Sequence, residues 1–207
     1  MNKGAPALDE NLAEAHTALA WVKKIQGDPA GYEKELLRAK QLNPNYATAR
    51  QWLAECYMFK EDYELAHAEI AKAIELDPNA LVMKAIAGQV YMAEGRYDEA
   101  IRRLKPLLEK NPEFIMARIF LYNSYLGKAD YPSAERTAEE CQFPDMRFYM
   151  KCRVLFKIQK GVKTPEAVEA KATLERMTAD PNTINVPPGL IALIYGDMGD
   201  LDAAYRW

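Results

Sequence analysis

Along most of the chain apolar residues return every three or four positions, the spacing of a helix with one buried stripe. Ala47 to Phe59 and Tyr63 to Leu76 form the clearest pair of such segments, and Glu61-Asp62 between them supplies turn and cap residues. The arrangement returns with Gly95-Arg96 before Tyr97 and Gly127-Lys128-Ala129-Asp130 before Tyr131. The pattern therefore predicts helix hairpins.

The hairpins recur. Pro44, Pro78 and Pro112 stand 34 residues apart, as do Tyr57, Tyr91 and Tyr125, Tyr63, Tyr97 and Tyr131, and Ala66, Ala100 and Ala134. Ala20, Ala54 and Gly88 keep the same period, and Tyr122 breaks that column in the next unit. Small residues let two helix backbones approach while neighbours such as Leu53 and Tyr57 fill the flanks. On this reading Ala54 faces Ala66 and Gly88 faces Ala100. Each proline closes a second helix, because it has no amide donor and disfavours helix in the residue before it. Thr164-Pro165 and Pro187-Pro188 mark further helix starts. Pro106 falls inside a helix and predicts a kink.

A 34-residue helix pair with Leu53-Ala54, Tyr57, Ala66, Ala73 and Pro78, followed by Ala87-Gly88, Tyr91, Ala100, Leu107 and Pro112, resembles the tetratricopeptide repeat. The likeness continues through Ile115 to Cys141 and weakens at both ends. Between Ala13 and Pro44, Lys23 replaces the usual Tyr and Tyr32 the usual Ala. From Arg147 to Pro181 the register slips, with Tyr149, Cys152, Phe156, Ala170, Leu174 and Met177 as the expected core, and Ile191-Ala192, Tyr195 and Ala204 open a final unit. The resemblance implies an all-α, right-handed solenoid of antiparallel helix pairs, with about five repeats. The units expected are 13–46, 47–80, 81–114, 115–144, 145–184 and a partial 185–207, forming a single solenoid over 13–207. Segment 1–12 reads as the tail of a preceding repeat, because Leu8-Asp9-Glu10-Asn11 stands 68 residues before Leu76-Asp77-Pro78-Asn79. With no polar cap after Leu201 to Trp207, both ends are those expected of a piece of a longer protein.

Composition narrows the function. The chain has 207 residues, 49% of them hydrophobic and 28% charged, as in folded proteins. A formal charge of -3 leaves no basic excess to neutralise phosphates, which argues against nucleic acid as a partner. The longest apolar run, Leu190 to Tyr195, is far short of the roughly 20 residues a membrane span needs. The opening Met-Asn-Lys-Gly-Ala-Pro carries no apolar leader, so the expected setting is cytoplasmic and membrane-free. Cys56, Cys141 and Cys152 form no CxxC pair and read as core residues in a reducing compartment. His16 and His67 lack metal-ligand spacing, and no phosphate-binding or nucleophile-elbow motif occurs. No enzyme activity, catalytic residue, metal or cofactor is expected.

Function must then come from surface. The resemblance implies that the first helix of each unit lines a concave face where a peptide binds. The candidate partner-binding residues on those helices are Trp52, Glu55 and Phe59, then Ile86, Gln89 and Met92, then Met116, Phe120 and Asn123. Trp21, Met58 and Val82 share the same faces. In the competing reading Trp52, Ile86 and Phe120, themselves 34 apart, pack against neighbouring units. The grip on a C-terminal carboxylate used by chaperone-binding members of the family is not expected. The matching positions, Thr17, Trp21, Trp52, Val82 and Ile86, or Gln51, Glu55, Ile86, Met116 and Phe120, supply no cation. The expected function is a non-enzymatic scaffold for a protein or peptide partner. One alternative is a self-association spacer acting through the apolar groove or uncapped ends. Another is a recruiting array of a larger enzyme or bacterial signalling regulator, since the array resembles those appended to such proteins.

Overall fold

The computed structural model describes residues 11–179 and 188–207. Among these residues it contains twelve helices and no strand. They are α1 (Ala13–Ile25), α2 (Pro29–Leu42), α3 (Ala47–Phe59), α4 (Tyr63–Leu76), α5 (Leu81–Ala93), α6 (Tyr97–Lys110), α7 (Ile115–Gly127), α8 (Tyr131–Glu139), α9 (Pro144–Gln159), α10 (Pro165–Met177), α11 (Pro188–Met198) and α12 (Leu201–Arg206). The limits of α3 and α4 agree with those predicted by the apolar pattern. The chain divides into two compact units between Leu107 and Leu108.

In the first unit α1 packs on α2 and α3 on α4, with α2 against α3 and both α3 and α4 against α5. The hairpin turns share one device. A residue with left-handed backbone ends the first helix, at Gly27 (φ 70°), Glu61 (φ 61°) and Gly95 (φ 80°). These positions also follow the repeat period. Glycine adopts this conformation freely for want of a Cβ, so Glu61 holds it at a cost. After Gly27 and Glu61 an aspartate caps the next helix: Asp28 Oδ1 accepts from the Gly31 amide at 2.8 Å and Asp62 Oδ1 from Leu65 at 3.3 Å. The Gly31 hydrogen bond holds the Asp28 carboxyl below its ordinary value.

The small-residue columns are core. Ala20, Ala54, Ala66, Ala73 and Ala100 are fully buried, as are Leu36, Leu53 and Leu104. A Cβ on Gly88 would lie 2.6 Å from both Cγ and Cδ2 of Leu104, so glycine is what lets α5 approach α6 there. The side chain nearest Gly88 is thus Leu104, one turn beyond the expected Ala100. Helix α6 runs through Pro106 to Lys110 without interruption. Buried Glu69 on α4 bonds Lys40 of α2 and, at 2.8 Å, Arg50 of α3, so its charge is doubly compensated.

In the second unit α7 packs on α8, α8 on α9, α9 on α10 and α11, and α11 on α12. The same turn chemistry appears at Ala129 (φ 56°) with Asp130 capping Ser133 at 3.2 Å, and at Gly199 (φ 84°) with Asp200 capping Ala203 at 3.0 Å. Thr164 Oγ1 caps Ala167 at 3.3 Å, with Pro165 in the first helical turn, as the sequence predicts. The core joins Tyr149, Cys152, Phe156, Leu174, Ile191, Ile194, Tyr195 and Met198. Ala170 and Met177 lie at its edge, and on α12 Ala203 rather than Ala204 is buried. Tyr122 is accommodated at the small-residue position of α7 because it is buried with its hydroxyl donating to the Met150 carbonyl at 2.6 Å. The expectations concerning Leu8-Asp9-Glu10, Pro181 and Pro187 fall outside the described residues.

Candidate functional site

The first helices of the first unit leave an aromatic face uncovered. Trp21 of α1 and Trp52 of α3 meet with ring centroids 5.8 Å apart and planes tilted by 43°. Trp21 is 48% exposed and Phe59, at the end of α3, is 74% exposed. Trp52, Glu55, Gln89 and Met92 are partly exposed, so five of the predicted residues present surface in this unit. Ile86 does not. It is buried on α5, which both α3 and α4 contact, and is a packing residue. Met58 is likewise enclosed. Glu55 Oε1 accepts from Gln51 Nε2 at 3.0 Å, a neutral donor, and among the described residues no cation pairs with it.

In the second unit Met116, Phe120 and Asn123 lie partly exposed on α7. Asn123 is engaged: its Oδ1 accepts from Arg153 Nη1 of α9 at 2.9 Å. Arg153 Nε donates to Asp197 Oδ2 of α11 at 2.9 Å, and Lys157 Nζ meets Asp197 Oδ1 at 3.0 Å. The Arg153 and Asp197 side chains are only 8% and 10% exposed. Cations absent from the matched first-helix positions elsewhere are therefore present here, and an internal carboxylate holds both. Sequence reasoning missed this network because Asn123 and Arg153 are 30 residues apart, out of step with the repeat. The i, i+4 spacing of Arg153 and Lys157 was the one local signal.

The remaining chemistry is structural. His16 bonds Glu35 at 2.6 Å and His67 bonds Glu94 at 2.8 Å. The His67 bond holds the Glu94 carboxyl below its ordinary value. The three cysteines are free and buried, and burial pushes the Cys152 thiol up to about 12, the opposite of an activated thiolate. Among the described residues no three His, Cys, Asp or Glu gather as metal ligands, and no helix is long and apolar enough to cross a membrane.

Residues 47–80 match the family model described as tetratricopeptide repeat. Solved structures extend the likeness to nearly the whole chain. A tetratricopeptide repeat protein from Parabacteroides merdae aligns over 99% of this chain and 78% of its own, at 16% identity and a TM-score of 0.68. Pseudomonas aeruginosa pilF aligns over 94% and 87%, at 19% identity and a TM-score of 0.63. Thermobaculum terrenum O-GlcNAc transferase aligns over 61% of this chain at 25% identity and a TM-score of 0.56, and the match spans only 25% of that protein. No curated protein sequence matches. The fold is thus a tetratricopeptide-type solenoid, and proteins built from this repeat are in general non-catalytic scaffolds that bind protein partners.

Proposed function

We propose that this tetratricopeptide-repeat chain is a non-enzymatic scaffold that binds a partner polypeptide on the first-helix face of its first unit. The observation that carries the reading is the exposed aromatic surface of Trp21, Trp52 and Phe59 on α1 and α3. Aromatic side chains left in water at a packed helix face supply large contact area at little entropic cost, the property of interface anchors. Met92 extends the surface on α5, and Glu55 and Gln89 add polar contacts. Met116 and Phe120 offer a smaller apolar surface on α7 in the second unit. The buried, unpaired cysteines fit a reducing, cytoplasmic setting.

The test places a photo-crosslinking phenylalanine analogue at position 52 and, in a second protein, at position 72 on α4, where exposed Lys72 lies outside the first-helix face. Crosslinking in cell extract followed by peptide mapping should identify one partner segment at position 52 and none at position 72. Equal labelling at both positions, or none at 52, overturns the reading. Self-association is a second reading, favoured by Val22 and Ile25 of α1, which are 46% and 72% exposed. It predicts a mass by light scattering that rises with concentration and falls back in Ile25→Ser.

A further inference from the structure

A cleft of about 590 Å³ opens beside that aromatic face, between the α1–α2 turn and the end of α3. Its lining includes Tyr32, Cys56 and Phe59, together with Gly27, Pro29 and Ala30 of the turn. Tyr32 and Cys56 are both 7% exposed, whereas Phe59 stands largely in solvent. This is a largely apolar recess with one exposed aromatic wall, of the size class that receives ligands.

The charges around it are unevenly used. Lys60 pairs with Glu33 at 2.9 Å, and Asp28 caps Gly31 and lies 3.4 Å from Lys23. Two groups of opposite sign remain. Lys24 lies over the rings of Trp21 and Tyr32, at 5.4 and 5.5 Å, and among the described residues it has no carboxylate within ion-pair distance. Among the described residues Glu55 has only the Gln51 amide. An occupant that is wholly apolar would strip water from both charges without compensation. An amphiphilic acid would satisfy Lys24 and meet Glu55 with like charge. A polypeptide segment supplies an apolar side chain, an acid and a base on neighbouring residues, and so matches the whole recess.

We propose that this cleft takes one large apolar side chain of a partner polypeptide, with an acidic neighbour set against Lys24 and a basic neighbour against Glu55. The proposal rests on the partner-binding reading of the first-helix face and specifies the chemistry of the segment. Three dye-labelled, capped heptapeptides serve as probes, each with a central Phe. One carries Asp before and Arg after it, the second has the two reversed, and the third has Ser at both places. Fluorescence anisotropy reads binding to the full chain.

One charged order should bind about fivefold more tightly than the Ser peptide, the scale of a partly exposed ion pair. Lys24→Glu should remove that advantage, and a peptide with Arg in place of its Asp should restore it. Lys24→Gln gives the intermediate loss, and Phe59→Ser weakens all three peptides. Both sites are exposed, and circular dichroism verifies that each variant stays folded. Peptides that bind alike, or binding indifferent to Lys24→Glu, overturn the proposal, as does failure of all three to bind at millimolar concentration. A concentration-dependent mass lost in Phe59→Ser, with no peptide bound, assigns the cleft to a second copy and also overturns it. Partner crosslinking at position 52 with charge-blind peptides refutes the cleft alone. Absence of a position-52 crosslink refutes the broader reading.

Discussion

Helices α3 and α9 each open a helix hairpin, yet their exposed sides are finished in opposite ways. On α3, Phe59 stands largely in solvent, Trp52 is partly exposed beside Trp21, and Glu55 bonds one neutral amide. On α9, Arg153 and Lys157 are drawn onto Asp197 and, for Arg153, onto Asn123 as well. A buried cation must find a counter-charge within its own unit, because the desolvation cost is several kcal/mol per ion. An exposed aromatic carries no such obligation, and its surface remains open to another molecule. The lesson concerns these two helices: α9 spends its cations on partners within its own unit, while α3 leaves aromatic surface open to another molecule.

The sharpest way to break this contrast is Asp197→Ala, which strands Arg153 and Lys157. Urea unfolding should show a loss of about 3–5 kcal/mol, the cost of an unpaired buried charge. Phe59→Ser in the first unit should stay within about 0.5 kcal/mol of the parent, as at an exposed site. Equal losses would mean that the two helices are not finished differently.

A smaller effect is expected at the α5–α6 approach. Gly88→Ala drives a Cβ into Leu104 and should cost about 1–3 kcal/mol in thermal or urea unfolding, with part of it recovered by adding Leu104→Ala. A neutral Gly88→Ala would show that the crossing has room that the observed packing denies. The smallest effect concerns the turns, where Glu61 and Ala129 hold left-handed backbone that Gly27 and Gly95 hold without strain. Glu61→Gly and Ala129→Gly should each stabilise by about 0.5–1 kcal/mol, and Gly95→Ala should destabilise by a similar amount. The melting temperature should rise in the first two variants and fall in the third.

Much of the first unit was legible in the sequence. The ends of α3 and α4 follow from apolar spacing and from Asp62, and the buried alanines follow from their common period. The left-handed turn position was not read from the sequence, although Gly27 and Gly95 stand 68 residues apart. Glu61 and Ala129 conceal it, being residues that declare no backbone preference of that kind. The site was less legible. Ile86 shares a period with Trp52 and Phe120, yet it is buried where they retain surface, because period fixes a side of the helix and not what covers it. The cleft lay hidden for another reason: it joins Lys24, Tyr32 and Phe59 from three successive helices, and no single stripe contains them.

The sequence by itself determined the helix pairs, their turns and the small residues at their crossings, since these depend on neighbours within one repeat. Only the tertiary structure decided which polar groups are spent internally and which face stays open. Arg153 meets partners 30 and 44 residues away in Asn123 and Asp197. Lys24 finds its place over rings on its own helix and the next. Such encounters are set by the packing of one hairpin on another, and burial then fixes whether a charge must be paired at home or can wait for a partner.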